Sequence, residues 1–105
     1  MVNASDQDFP IHLANQPKIM VMFGSRHCGA CTYVKPYFDM LYSNPQFKEI
    51  LFLRIDADGN PQAKTIAEVD GLPYFALFHD GQVVDGRATT RAEALAKMCL
   101  DLQKL

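Results

Sequence analysis

No apolar run in this chain approaches the roughly 18 residues of a membrane-spanning helix, so no membrane partner is expected. Nor is there an excess of basic residues. Ten Lys and Arg against twelve Asp and Glu leave a formal net charge of −2, which supplies no field for holding nucleic acid or an anionic membrane. The first residues, Met1 to Phe9, are polar and lack the basic start and apolar stretch of a signal peptide. They predict a cytoplasmic location, or a periplasmic or exported one where a leader has been removed. No Gly-rich dinucleotide fingerprint is present, so no bound cofactor is expected. Cysteine is sparse, at three residues; a secreted domain stapled by disulfides would carry an even, denser set. Internal repeats, low-complexity stretches and linkers are also missing.

What remains is an ordinary globular composition, 49% hydrophobic and 21% charged over 105 residues. That length suits one domain, residues 1–105, with one core that needs no metal or structural disulfide; a monomer is expected. The elements alternate between the two periods. Ser5 to Asn15 reads as a short helix with Pro10 in its first turn. Lys18 to Phe23 is a continuous apolar run ending at Gly24, the pattern of a strand buried on both faces. Cys28 to Ser43 reads as a helix with Val34, Phe38, Leu41 and Tyr42 on one face and Pro36 inside it. Leu51 to Asp56 is a second strand, Pro61 to Val69 a second crossover helix, and Tyr74 to His79 a third apolar strand. Asp80-Gly81 is a tight turn into a shorter antiparallel strand, Gln82 to Asp85. Thr90-Arg91-Ala92-Glu93 has the form of a capping box for a last helix whose core face is Leu95, Met98, Cys99 and Leu102. Strand–helix–strand crossovers imply parallel pairs and the hairpin adds an antiparallel edge. The fold class is therefore α/β, a mixed central sheet of about four strands flanked by helices.

The chemistry lies in Arg26-His27-Cys28-Gly29-Ala30-Cys31. A strand ends at Gly24, a short loop follows, and a helix begins near Cys28. At a helix N-terminus the unpaired N–H groups and the dipole favour a thiolate and lower a thiol pKa from about 8.5 into the range of roughly 3.5–7.5. Cys31, one turn further in, is more shielded. This asymmetry suggests Cys28 as nucleophile and Cys31 as resolving thiol in thiol–disulfide exchange. Two other readings of the pair exist. Half a zinc site would need two further ligands, and only Cys99, His12, His27 and His79 remain, none in a second CxxC or HxxxH spacing. A structural disulfide would close a very short loop for little entropic gain. Asp56 and Asp58 read as a solvated strand end, His79 as exposed, Cys99 as a small core residue, and Tyr33 and Tyr37 as the border of a substrate surface.

The segment Phe23-Gly24-Ser25-Arg26-His27-Cys28-Gly29-Ala30-Cys31, with Pro36, Gly71-Leu72-Pro73 and Phe78-His79-Asp80-Gly81, resembles the thioredoxin superfamily over nearly the whole chain from about Phe9. The resemblance implies a thioredoxin-like fold and a protein-disulfide oxidoreductase, acting on protein disulfides and recharged by a separate reductase or dithiol donor. It implies Cys28 as the attacking and Cys31 as the resolving cysteine. It implies Pro73 as the proline after a cis peptide bond, facing the dithiol, with Leu72 offering its backbone to an extended substrate segment. His27, Gly29, Ala30, Leu72 and Pro73 would then form the substrate-binding surface. The departures are specific. His27 stands where the family carries tryptophan, and the chain has none. Gly29-Ala30 replaces Gly-Pro. Met22 occupies the place of a buried aspartate that assists proton transfer at the resolving cysteine, and Arg54 that of a neighbouring lysine. The family's first strand is truncated or missing. Without a carboxylate at position 22, slower resolution at neutral pH is expected. As an imidazolium, His27 would stabilise a Cys28 thiolate; otherwise it is a solvent-exposed loop residue. An alternative function is a binding module that uses the Leu72-Pro73 surface while its dithiol is idle or regulatory.

Overall fold

The computed structural model describes residues 1–105. Its elements are β1 (Val2–Ala4), α1 (Phe9–Asn15), β2 (Lys18–Gly24), α2 (Gly29–Ser43), β3 (Leu51–Asp56), α3 (Pro61–Ala67), β4 (Tyr74–His79), β5 (Gln82–Ala88) and α4 (Ala92–Gln103). The sheet runs in the order β1-β3-β2-β4-β5. β1 and β2 are parallel to β3, whereas β4 is antiparallel to both β2 and β5. The mixed sheet between helices is as expected, with a fifth strand added. β1 has only three residues, pairing Val2 to Leu53, Asn3 to Arg54 and Ala4 to Ile55, and so short an edge carries no period-2 signal.

β2 lies at the centre, and its alternation divides the core. Ile19, Val21 and Phe23 face a cluster that includes Phe9, Leu53, Ile55 and Phe78. Met20 and Met22 face the other cluster, with Cys31, Phe38, Phe52, Phe75 and Met98. Both faces being covered, a continuous apolar run is what such a strand requires. Phe38 anchors the α2 side, its ring centroid 5.6 Å from those of both Phe52 and Phe75. Truncating a buried Phe of this kind costs about 3–5 kcal/mol.

Several boundaries differ from the sequence reading for local reasons. Residues Ser5 to Asp8 form a turn rather than helix, and α1 starts at Phe9 with Pro10 in its first turn. The Asp6 carboxylate of that turn accepts the Ala63 N–H at 2.7 Å and the Gln62 N–H at 3.2 Å. It thereby caps α3, whose own N-cap residue Asn60 provides no side-chain cap. Asn60 instead accepts the Asp6 N–H at 2.8 Å. α3 ends at Ala67, where Glu68 takes a left-handed conformation, φ 59°. The capping box does not form. Arg91 is the N-cap of α4 without a side-chain cap; its N–H is bonded to Thr89 Oγ1 at 3.1 Å, and Glu93 is drawn instead to the Arg91 guanidinium at 3.0 Å. Tyr42 is exposed rather than buried, laying its ring edge on Phe52 at 6.0 Å. The Asp80-Gly81 turn has both residues at positive φ, 51° and 84°, as a two-residue hairpin demands. β5 continues to Ala88, three residues beyond the expected end, past a bulge between Leu77 and Phe78.

Candidate active site

Gly24 closes β2, and the loop that follows is tethered. Ser25 Oγ donates to Asp58 Oδ2 at 2.7 Å and accepts the His27 N–H at 3.2 Å, while the Cys28 N–H donates to the Ser25 carbonyl at 3.1 Å. The Asp56–Asp58 strand end thus holds the loop, a function its sequence did not reveal. Cys28 follows in extended conformation, φ −108° and ψ 102°, as the N-cap of α2. Its Sγ accepts the backbone N–H of Cys31 at 3.1 Å. The sulfur therefore occupies the place of an N-cap oxygen, at the positive end of a 15-residue helix, where negative charge is favoured.

Cys28 and Cys31 are joined as a disulfide, with Cα atoms 5.3 Å apart. Their environments differ. Cys28 is half-buried, whereas Cys31 is 5% exposed and belongs to the core under α2. His27, Gly29 and Ala30 are exposed around the half-buried sulfur. The Leu72–Pro73 peptide is cis. Since Phe23 pairs with Tyr74 across β2 and β4, Pro73 comes next to Gly24 at the same end of the sheet as the dithiol. Pro73 is buried and Leu72 is exposed. Tyr33 and Tyr37 lie on the exposed face of α2 with ring centroids 5.9 Å apart. His79 is at the far end of the sheet, half-buried and 3.5 Å from Asp80. No three His, Cys, Asp or Glu side chains cluster as metal ligands.

Met22 is 2% exposed, with no carboxylate in its place. Beside it a cavity of about 390 Å³ reaches Cys31, lined also by Met22, Gly24, Arg26, Lys35, Arg54 and Asp56. Arg26 and Lys35 carried no signal in the sequence, because they come from the loop and from α2 and meet Arg54 of β3 only in the folded chain. A larger surface depression of about 580 Å³, between the end of α1 and the Asp80-Gly81 turn, holds no nucleophile and lies at the opposite end of the sheet.

A family model for thioredoxin matches residues 1–101. The chain belongs to the thioredoxin family. Among curated thioredoxins, that of Equus caballus is 29% identical over 85 residues, 81% of this chain and 79% of its own. The chloroplastic thioredoxin X of Arabidopsis thaliana is 33% identical over 86 residues, 82% of this chain and 47% of its own. Among solved structures, a Plasmodium falciparum thioredoxin superposes with a TM-score of 0.89 at 18% identity, covering 96% of this chain and 98% of that one. The Fasciola hepatica thioredoxin does so with 0.85 at 25% identity, covering 97% and 99%. The paired cysteines and this membership make the protein a thiol–disulfide oxidoreductase of the thioredoxin family. The reading as a binding module with an idle dithiol is not favoured.

Proposed function

We propose that the protein reduces disulfides in partner proteins, with Cys28 as nucleophile and Cys31 as resolving thiol, and that a separate reductase or dithiol donor restores the dithiol. The observation that carries this is the unequal placement of the two sulfurs, one capping α2 at the surface and one shielded beneath it. The Cys28 thiolate attacks one sulfur of the partner disulfide, the partner's S–S bond breaks, and its other sulfur leaves as a thiolate that takes a proton. Cys31 then loses its proton and attacks Cys28 Sγ. The Cys28–Cys31 bond forms, the mixed disulfide breaks, and the second partner thiol is released. Two electrons pass from the protein dithiol to the partner, with no bound cofactor in the path. His27, Gly29, Ala30, Leu72 and Pro73 form the surface against which an extended partner segment lies, pairing with the Leu72 backbone. The reading places a monomer in the cytoplasm.

Turnover is tested by insulin reduction with dithiothreitol as donor, where the wild type accelerates precipitation and Cys28→Ser does not. Cys31→Ser should accumulate mixed disulfides with proteins in cell extract, whereas Cys28→Ser should not. Trapping by Cys28→Ser alone would reverse the two roles. No turnover and no trapping would refute the function.

A further inference from the structure

The cavity beside Cys31 is unusual in its charge. In-register partners on neighbouring parallel strands share a face of the sheet. Met22 pairs with Arg54 and Gly24 with Asp56, and Met22 packs in the same core as Cys31. Arg54 and Asp56 therefore emerge beneath the first turn of α2. Lys35, four residues after Cys31, comes one turn further along the same helix face, and the loop contributes Arg26. The cavity also brings Gly24 against the thiol, since a Cβ placed there would be 3.5 Å from Cys31 Sγ.

Three cationic residues thus line one cavity that has a single acidic one, Asp56. Neither Arg26 nor Arg54 has an ion-pair partner, and Lys35 has only Asp39 at 3.4 Å. Asp56 Oδ1 already accepts the Asp58 N–H at 2.9 Å, and Asp58 Oδ2 is taken by Ser25. β2 offers no titratable group here, only Met22 and Gly24, and β1 offers Asn3 and Ala4. A thiol as buried as Cys31 ionises only with a route for its proton and a charge that compensates its thiolate. The cavity has room for water and polar walls to hold it.

We propose that this cavity is the proton exit of the resolving thiol, and that Arg54, Lys35 and Arg26 stabilise the Cys31 thiolate in place of a carboxylate acting as base. The proposal rests on the assignment of Cys31 as the resolving thiol. In the mixed disulfide the Cys31 S–H passes its proton to water in the cavity and thence to solvent. The thiolate, held in the field of the three cations, attacks Cys28 Sγ and expels the partner's thiolate, which is protonated outside. The three are positioning residues that act through Cys31. They oppose the slow resolution that the loss of the aspartate alone would produce.

The test uses the reduced full-length protein and the uncharged disulfide 4,4′-dithiodipyridine, followed by stopped flow from about pH 5 to 9. Attack by Cys28 releases a first thiopyridone, and resolution by Cys31 releases a second. Arg54→Gln and Lys35→Gln should each move the midpoint of the second phase to higher pH and slow it roughly 3-fold at neutral pH, by loss of one nearby charge. The first phase should keep its rate, and Arg54→Lys should retain wild-type behaviour. Raising salt to about 1 M should slow the second phase of the wild type more than that of the double variant. Asp56→Asn, which removes the opposing charge, should move the midpoint down. A double variant Arg54→Gln/Lys35→Gln whose second phase superimposes on the wild type overturns the proposal. So does an Asp56→Asn variant whose second phase is slowed and loses its pH dependence, since Asp56 would then be the base. A wild type that releases no second thiopyridone refutes the assignment of Cys31 and this proposal with it. Because Lys35 is partly exposed, its variant provides a reading even if Arg54→Gln disturbs the sheet.

Discussion

Met22→Asp places a carboxylate where other thioredoxins are expected to carry one, and the surroundings fix what should happen. Met22 is 2% exposed and packs among Cys31, Val34, Phe38 and Phe75. Losing its thioether costs about 2–5 kcal/mol as for other large-to-small core changes, whatever the charge. The carboxyl is also desolvated, which disfavours its ionised form and raises its pKa above the unfolded value of about 3.9. Arg54, its register neighbour, offsets part of this. With a raised folded pKa, the variant keeps its residual stability below about pH 4 and loses more as pH rises toward the folded pKa, at about 1.4 kcal/mol for each pH unit between the two values. Met22→Asn has the same shape without the charge, so the difference between the two variants isolates the electrostatic part. Urea unfolding of the oxidised proteins, followed by circular dichroism because the chain lacks tryptophan, should give curves that diverge from about pH 4 upward, with Met22→Asp the less stable. Parallel curves would show the position hydrated through the neighbouring cavity. Divergence in the opposite sense would show the Arg54 attraction exceeding desolvation. Either result refutes the reasoning.

Burial pushes the Cys99 thiol up to about 12, so native protein should resist alkylation there by iodoacetamide at mildly alkaline pH and react only on unfolding. Because the folded value is raised, the stabilising contribution is intact below the unfolded value of 9.0 and is lost as pH rises toward about 12. Cys99→Ala should remove a slope on the order of 1.4 kcal/mol per pH unit in that window, seen as a flatter alkaline unfolding profile. Gly86→Ala should destabilise by about 1–3 kcal/mol, because the new Cβ would fall 3.0 Å from Cζ of the buried Tyr74 ring. In a Tyr74→Leu background the same substitution should be nearly silent in a thermal melt, and an equal loss in both backgrounds would exclude the clash.

The three central strands, β3, β2 and β4, could be read directly from the chain, because a strand covered on both faces is apolar along most of its length. Met20 and Met22 serve one layer while Ile19, Val21 and Phe23 serve the other. The dithiol was equally readable, since Gly24 marks the end of β2 and the helix has to begin near Cys28. What could not be read depends on tertiary pairing. β1 exists only because Val2, Asn3 and Ala4 find Leu53, Arg54 and Ile55. The Thr90–Glu93 pattern fails because Arg91 competes for Glu93 and becomes the N-cap itself. The charged cavity draws Arg26, Lys35 and Arg54 from a loop, a helix and a strand, so no spacing along the chain announces it.

The reciprocal hold between Asp6 and the start of α3 binds two parts of the chain whose positions differ by more than 50 residues. The three-residue edge strand and a seven-residue helix are each too short to persist alone, yet the turn after the strand caps the helix and the helix's N-cap residue anchors that turn. They should therefore open as one unit. In native-state hydrogen exchange, the amides of Gln62 and Ala63 should share their opening free energy with those of residues 2–4 rather than with the rest of the sheet. A change as small as Asp6→Ala would then loosen the sheet's first edge through the turn that follows it, without touching a single rung of its ladder.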